Sequence, residues 1–492
     1  MVRTPDVVTG AQPLGLVTAL CDTLDRQAVR YCHWKSTDAL ERSWSGENDL
    51  DLLVAERDIP VFEASLRALG FKEAIVPAAQ RLPGVRHLYG VDEPSGRLVD
   101  VHLHERLILG DDATKNYRLP IEDAYLSSVT RRDPFMVPDP ELEFAIFALR
   151  MMIKHGSPEA IASGRGSLSR AERDEMHALE DATDPVTRWR SLHHTIPTVD
   201  RALLFRCLDT FGPTQTIPAR VGVWRDLERR LAIYERRPRV SDVWLQLSRR
   251  LIGRSRRLVH RPRRWRMADG GSVIAIVGSD GSGKSTMTDA LAGWLGPVCT
   301  VQRLHLGKPP RSASWIALRA AMHAGRRLGL TATAPPVPTG AIAAADEQPT
   351  VPRLLMDLLT TRDRLRAARR ARRSADGGVI VLCDRYPLPQ LSVDGPRGAP
   401  AAGGTLGPMS RGIVARERRL AARIPPPDVV VVLAVEPDVA RRRRPDADPA
   451  VIDARATEIL DAAWDPEMLV VDAARPFDDV FADVRRGVWS RL

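Results

Sequence analysis

Residues 273–285 read Val-Ile-Ala-Ile-Val-Gly-Ser-Asp-Gly-Ser-Gly-Lys-Ser. Gly278 to Ser285 satisfy the pattern GxxxxGK[ST] in full; an apolar strand enters the loop and a helix-compatible segment, Met287 to Leu295, leaves it. A buried strand running into a glycine turn and then a helix is the opening move of a parallel α/β sheet, so this stretch limits the fold more than any other. The chemistry also requires these residue types. Gly278, Gly281 and Gly283 permit backbone geometries that aim N–H groups inward at phosphate oxygens, with Ser279, Asp280 and Ser282 between them. The following helix presents its N-terminus, with Ser285 and Thr286 at its start, to the same anion. In such a loop Lys284 would neutralise the β- and γ-phosphates of ATP, and Ser285 would ligate Mg2+.

A second motif follows in the same region. Gly377 to Pro387 is an apolar strand ending in Asp384-Arg385-Tyr386. A carboxylate at the C-terminal end of a neighbouring parallel strand lies in the crevice where such sheets bind ligands. Asp384 could hold Mg2+ directly or through water, and Arg385 could clamp a phosphate with its two-pronged guanidinium. The plainer alternative is a strand-end acid paired locally with an arginine. Strand-like segments at 300–306, 428–435 and 468–471 complete a βα alternation from 271 to 492, which predicts a parallel sheet flanked by helices. Residues 331–350 and 391–410, rich in Ala, Pro, Thr and Gly, read as loops within it.

With these motifs in order, residues 271–492 resemble a thymidylate kinase-type nucleoside monophosphate kinase. That family has a glycine loop of this kind, an Asp-Arg-Tyr or Asp-Arg-His motif ending its third strand, and a basic lid after its fourth. The resemblance implies a γ-phosphoryl transfer from ATP with Mg2+, with Lys284, Asp384 and Arg385 as catalytic residues and Arg441 and Arg444 of the run Arg441–Arg444 as lid residues. It places Asp280 facing the acceptor's sugar, and Gly307-Lys308-Pro309 near the acceptor. The chain departs from the family after the Asp-Arg motif: Pro387 to Pro396 replaces a Ser-x-x-Ala-Tyr-Gln segment that helps hold the acceptor. The acceptor is therefore expected to be nucleotide-like, without being fixed as thymidylate.

The amino-terminal region carries a different pattern. A strand-like Val29 to Trp34 ends in Lys35-Ser36, and Asp49-Leu-Asp-Leu-Leu-Val follows. Asp49 and Asp51, at i and i+2, leave one face of a strand. Two carboxylates on one face repel unless a cation sits between them, as in metal-dependent nucleotidyl transfer. Arg97 to His104 alternates as a second strand, with Asp100, His102 and His104 on one face, and Glu93-Pro-Ser-Gly makes it the second arm of a hairpin. This resembles the nucleotidyltransferase superfamily, whose signature is a Gly-Ser turn, then Asp-x-Asp, then a separate strand-borne acid. The resemblance implies Asp49, Asp51 and Asp100 as metal ligands in an α+β domain. Lys35-Ser36 stands where Gly-Ser is usual; that change could block a triphosphate or add a phosphate contact. His102 and His104 read more simply as strand residues than as ligands.

Three regions are thus expected: a nucleotidyltransferase-like α+β domain at 1–130, a helical Arg-rich connector at 139–268, and the α/β domain at 271–492. The formal net charge is +10. The segment from Glu235 to Arg266 alone holds twelve Arg against Glu235 and Asp242, so the basic character belongs to one segment and not to the whole chain. Trp244 and Trp265 lie within it. Nucleic acid or an anionic membrane could use such a cluster, but an interdomain helix whose arginines pair with acidic faces is the plainer reading. Five scattered cysteines without a CxxC pair argue against a disulfide framework or a structural zinc site. No apolar run approaches the ~18–20 residues that span a bilayer and no signal-peptide pattern opens the chain, so a cytoplasmic location is expected. The leading expectation is an ATP- and Mg2+-dependent phosphotransferase acting on a nucleotide-like acceptor, with a homodimer as the candidate assembly. The alternatives are a metal-dependent nucleotidyltransferase at Asp49, Asp51 and Asp100, and a nucleotide-binding regulator without turnover.

Overall fold

Alternating apolar residues at the start of the chain build a sheet covered on both faces. The computed structural model describes residues 12–77, 81–111, 113–211, 216–258, 265–327, 350–391 and 407–492. The expected loops at 331–350 and 391–410 lie largely outside them. The chain divides into two compact units, Met1–Pro262 and Arg263–Leu492.

In the first unit the strands β1 (Tyr31–His33), β2 (Leu50–Val54), β3 (Lys72–Ile75), β4 (Val85–Val91) and β5 (Leu98–His104) are ordered β1-β2-β5-β4-β3. β2 runs parallel to β5, and β4 and β5 form the expected antiparallel hairpin. Leu50, Leu52, Val54, Val99, Val101 and Leu103 pack with residues of the helices Gly15–Arg26 and Ile59–Ala68. Leu53, on the opposite face, joins a second core that includes the helix Pro140–His155. That helix begins where the sequence signals a start: Asp139 accepts from the Glu141 N–H, and Pro140 occupies the first turn. Asp51 therefore lies in a strand buried on both sides. Two short ribbons complete the strands of this unit, β6 (Ile108–Leu109) with β7 (Tyr117–Arg118) and β8 (Thr130–Arg132) with β9 (Phe135–Val137). The Arg-rich segment forms the helix Arg239–Leu258. Arg239 pairs with Glu228, Arg249 donates to the Ala113 carbonyl, and Arg250 pairs with Asp111, all within this unit.

In the second unit a short strand, β10 (Arg266–Met267), precedes β11 (Val273–Gly278), β12 (Val301–His305), β13 (Ile380–Asp384), β14 (Val429–Ala434) and β15 (Leu469–Asp472). The last five form one parallel sheet in the order β12-β13-β11-β14-β15, flanked by helices as expected. Val273, Ala275, Val277, Val381, Cys383, Val430 and Val432 are all buried, the near-continuous apolar composition of a sheet covered on both faces. The reversal of strand order puts β13 directly beside β11, so the end of β13 faces the glycine loop. Among the described residues no helix is long and apolar enough to cross a membrane.

Leu291, on the helix Lys284–Leu295, is fully buried, whereas Leu460, on the helix Pro449–Asp461, is 40 % exposed. Leu291→Ala is expected to destabilise the second unit by about 2–5 kcal/mol. Leu460→Ala should stay within about 0.5 kcal/mol. Chemical denaturation of the two variants measures both.

Candidate functional site

The glycine loop lies between β11 and the helix Lys284–Leu295. Gly281 has φ +89°, and a Cβ there would stand 2.7 Å from the Ala440 carbonyl oxygen, so glycine is needed both for the turn and for the close approach of the next segment. Gly283 caps the helix in the left-handed conformation and provides no side-chain cap. Lys284 is buried, and its ammonium donates to the carbonyls of Gly278 (2.9 Å) and Ser279 (2.6 Å). Ser279 Oγ and Ser282 Oγ are buried without a hydrogen-bond partner. Ser285 and Thr286 are exposed at the start of the helix.

Asp280 does most to organise this loop. It pairs with Arg385 at the end of β13 and with Arg455 on the helix Pro449–Asp461, and Lys284 Nζ lies 3.9 Å away. Burial would raise the Asp280 carboxyl, but Arg385, Arg455 and Lys284 outweigh it and hold the group below its ordinary value. Arg385 is held at φ +56°, rare for a non-glycine residue, and its side chain crosses Gly307, where a Cβ would stand 2.8 Å from Arg385 Cδ. Asp384 pairs in register with Ile276 of β11, and its Oδ1 is buried without a hydrogen-bond partner. The structure thus brings Asp280, Lys284, Asp384 and Arg385 together. The arginines after β14 sit differently. Arg441 pairs with Asp438 and Asp453, Arg443 donates to the Ala473 carbonyl, and Arg442 and Arg444 are exposed. Lys308 is exposed as well. Arg455, 9 % exposed, escapes sequence reasoning: it belongs to no motif and is one of many arginines. A cavity of about 310 Å³ lies in the same unit, lined by Thr361, Arg364, Leu388, Arg418 and Ile424 among others, and Arg364 also donates to the Leu306 carbonyl at the exit of β12.

In the first unit the parallel pairing of β2 and β5 sets Asp51 opposite His102. His102 Nδ1 lies 3.3 Å from Asp49 Oδ2 and 3.4 Å from Asp51 Oδ1, and its Nε2 lies 3.5 Å from Asp100 Oδ2. His104 Nε2 is 2.9 Å from Asp51 Oδ1, and Lys35 Nζ is 3.0 Å from Asp51 Oδ2. The three expected carboxylates therefore meet around a histidine that the sequence reading set aside. Strand alternation names a face; it does not reveal which neighbouring strand completes the cluster. Burial would raise the Asp51 carboxyl, yet Lys35, His102 and His104 hold it well below its ordinary value. Burial pushes the Asp49 carboxyl up. Burial acts to lower the His102 imidazole, but Asp100 and Asp51 push it up to about 10. His104, more deeply enclosed, is lowered by burial to about 4.

The turn after β1 bears on phosphate binding. Ser36 is left-handed at φ +55°, and the Thr37 N–H and hydroxyl both donate to Glu143, at 3.3 and 2.7 Å. Ser36 Oγ lies 3.4 Å from Glu175 Oε2. Donors that would face a triphosphate in a Gly-Ser turn are here committed to two buried carboxylates.

The chain is 27% identical over 234 residues to a protein of Escherichia coli (strain K12) named uncharacterized ATP-binding protein YghR, a match covering 44% of this chain and 86% of that one. It is also 27% identical over 233 residues to uncharacterized ATP-binding protein YghS of the same strain, covering 45% of this chain and 93% of that one. No protein-family model matches the chain.

Removing one partner of Asp280 tests the electrostatics of the loop. Arg455→Ala is expected to cost the second unit about 1–3 kcal/mol at neutral pH, the usual loss for a charge-assisted bond to a partly buried group. Because the Asp280 carboxyl is depressed on folding, its contribution is present above the unfolded value near 3.8 and is lost as pH falls below it. The gap between wild type and Arg455→Ala should therefore narrow below about pH 4, as followed by urea denaturation across pH.

Proposed function

We propose that the second unit is an ATP- and Mg2+-dependent phosphotransferase that moves the γ-phosphoryl group of ATP to a phosphate of a nucleoside monophosphate-like acceptor. The observation that carries this reading is the meeting of two strand ends: Asp384 and Arg385 at the end of β13 stand beside the glycine loop, and Arg385 is tied to Asp280 within it. The ATP half draws further support from the E. coli relatives, both of which carry the name ATP-binding protein.

The chain's own groups suit each part of the task. Lys284 would exchange the Gly278 and Ser279 carbonyls for phosphate oxygens. The start of the helix Lys284–Leu295, which Gly283 leaves without a side-chain cap, and the unpartnered hydroxyls of Ser279 and Ser282 would be further donors for the same anion. Ser285 and Asp384 would hold Mg2+; the unpartnered, buried Asp384 Oδ1 fits a hard cation that prefers oxygen ligands. When bound, Mg2+ would supply neutralisation of phosphate charge. Arg385 has the planar fork that matches a phosphate and would share it between Asp280 and the phosphate, with Asp280 on the acceptor side. Arg441 and Arg444 would act as a lid, which requires Arg441 to exchange Asp438 and Asp453 for phosphate. An acceptor that is already a phosphate anion needs no general base, so catalysis would be positioning and charge neutralisation. The cavity beside Arg364 and Leu388 offers room for the acceptor's apolar part.

The test incubates the full chain with Mg·ATP and a panel of nucleoside monophosphates, and separates ADP from AMP plus pyrophosphate. Acceptor-dependent ADP is expected, reduced at least ~100-fold in Lys284→Ala, the scale of losing one preorganised charge-stabilising donor. Asp51→Asn should leave ADP formation unchanged. Undiminished turnover in Lys284→Ala, or pyrophosphate without ADP, would sink the reading.

A further inference from the structure

The histidines of β5 belong to a constellation that the phosphotransfer reading does not use. Asp51 Oδ1, His102 Nδ1 and His104 Nε2 converge from two adjacent parallel strands, with Asp51 Oδ1 2.9 Å from His104 Nε2 and 3.4 Å from His102 Nδ1. A tetrahedral Zn2+ ion with ligands at ~2.0–2.1 Å implies ligand–ligand edges of about 3.3–3.4 Å. The Asp51–His102 pair matches that spacing, and the Asp51–His104 pair, at hydrogen-bond distance, is shorter and would open slightly on binding.

The surroundings have the form that orients metal ligands. A zinc-bound histidine usually turns its other ring nitrogen to a carboxylate, and a ligating carboxylate is itself held on its free oxygen. Here Asp100 Oδ2 lies 3.5 Å from His102 Nε2, the nitrogen directed away from the convergence point. Lys35 Nζ holds Asp51 Oδ2, the oxygen not used there, at 3.0 Å. The Trp34 ring stands edge-on to His104 at 5.2 Å between centroids and fixes its plane. Asp49, with its side chain 51 % exposed and Oδ2 3.3 Å from His102 Nδ1, borders the open side. Charge points the same way: once His102 gives up its proton to ligate, Asp49, Asp51 and Asp100 against Lys35 leave two negative charges for a dication to cancel. The site differs in kind from a Mg·nucleotide site. Two imidazoles favour a borderline transition metal over Mg2+, and the turn that would take a triphosphate is committed to Glu143 and Glu175.

We propose that the first unit holds one Zn2+ ion on Asp51, His102 and His104, with Asp100 and Lys35 as positioning residues and a fourth coordination position open beside Asp49. The inference is independent of the phosphotransfer reading, because it concerns a different unit and its test contains no nucleotide.

The test titrates Zn2+ into the metal-free full chain by calorimetry and records the visible spectrum of the Co2+-substituted protein. One Zn2+ per chain is expected, unaffected by Mg2+ in millimolar excess (about a thousandfold over protein). Co2+ should give the intense bands of a four-coordinate site. Asp100→Asn should weaken Zn2+ binding about 10–100-fold, and His104→Ala by more. His87→Ala is the control. His87, Asp100 and His102 form a second convergent group on the other side of the His102 ring, and loss of binding in His87→Ala but not in His104→Ala would overturn the assignment. Circular dichroism identifies a variant that fails to fold; the Co2+ spectrum of the unmutated chain then decides alone, and the weak bands of a six-coordinate, all-oxygen site would refute the proposal.

Discussion

Asp280 places a carboxylate inside a loop whose backbone geometry is suited to receiving phosphate. Two like charges about 4 Å apart repel by about 4 kcal/mol at an effective dielectric constant of 20, so an uncompensated Asp280 would oppose any anion entering that loop. The unit meets this by spending two guanidinium groups on one carboxylate. Arg385 comes from the end of β13 and Arg455 from the helix Pro449–Asp461, and Ala440 closes over Gly281. The pairing ties together three segments that are far apart in sequence. With Lys284 nearby, the loop mouth keeps an excess of positive charge.

The first unit shows the opposite electrostatics. Its carboxylates are offset by cationic side chains: Lys35 on Asp51 and the His102 ring among Asp49, Asp51 and Asp100. In the turn after β1 the Thr37 N–H is taken by Glu143, whose own carboxyl burial pushes up to about 8. A cation would enter these surroundings at lower cost than an anion. One unit sets a helix start without a side-chain cap beside buried serine hydroxyls, and the other fills the donors of its turn with its own acids.

What the sequence revealed follows the same division. The glycine loop, the Asp384-Arg385 strand end and the parallel sheet are local patterns: each is written in consecutive residues, and the fold only sets them side by side. The pairing of Asp51 with His102 depends on two strands separated by about fifty residues lying parallel and in one register, which no local periodicity encodes. Arg455 reaches Asp280 across 175 positions and looks like any other arginine in a chain that has many. Glu143 and Glu175 reach the turn after β1 from helices that the sequence assigned to a connector, so what fills that turn could not be read from the turn itself.

The scarcity of lysine gives these contacts further meaning. Only six Lys accompany the arginines of this chain, and three sit where a compact charge matters. Lys284 donates to two carbonyls of one tight loop, Lys35 holds a single oxygen of Asp51, and Lys154 shares Glu172 with His155. A guanidinium is broad and planar and binds best across both oxygens of a carboxylate, whereas an ammonium is a small charge on a flexible stem. At Asp51 that difference is functional in form: Lys35 occupies Oδ2 and leaves Oδ1 to His102 and His104, where a forked arginine would compete for both oxygens. At residue 284 an arginine would have to fit its planar head into a side-chain site only 8% exposed, beneath a loop whose carbonyls converge on a point. In an arginine-rich chain these positions call for lysine because the geometry of what it holds excludes the alternative.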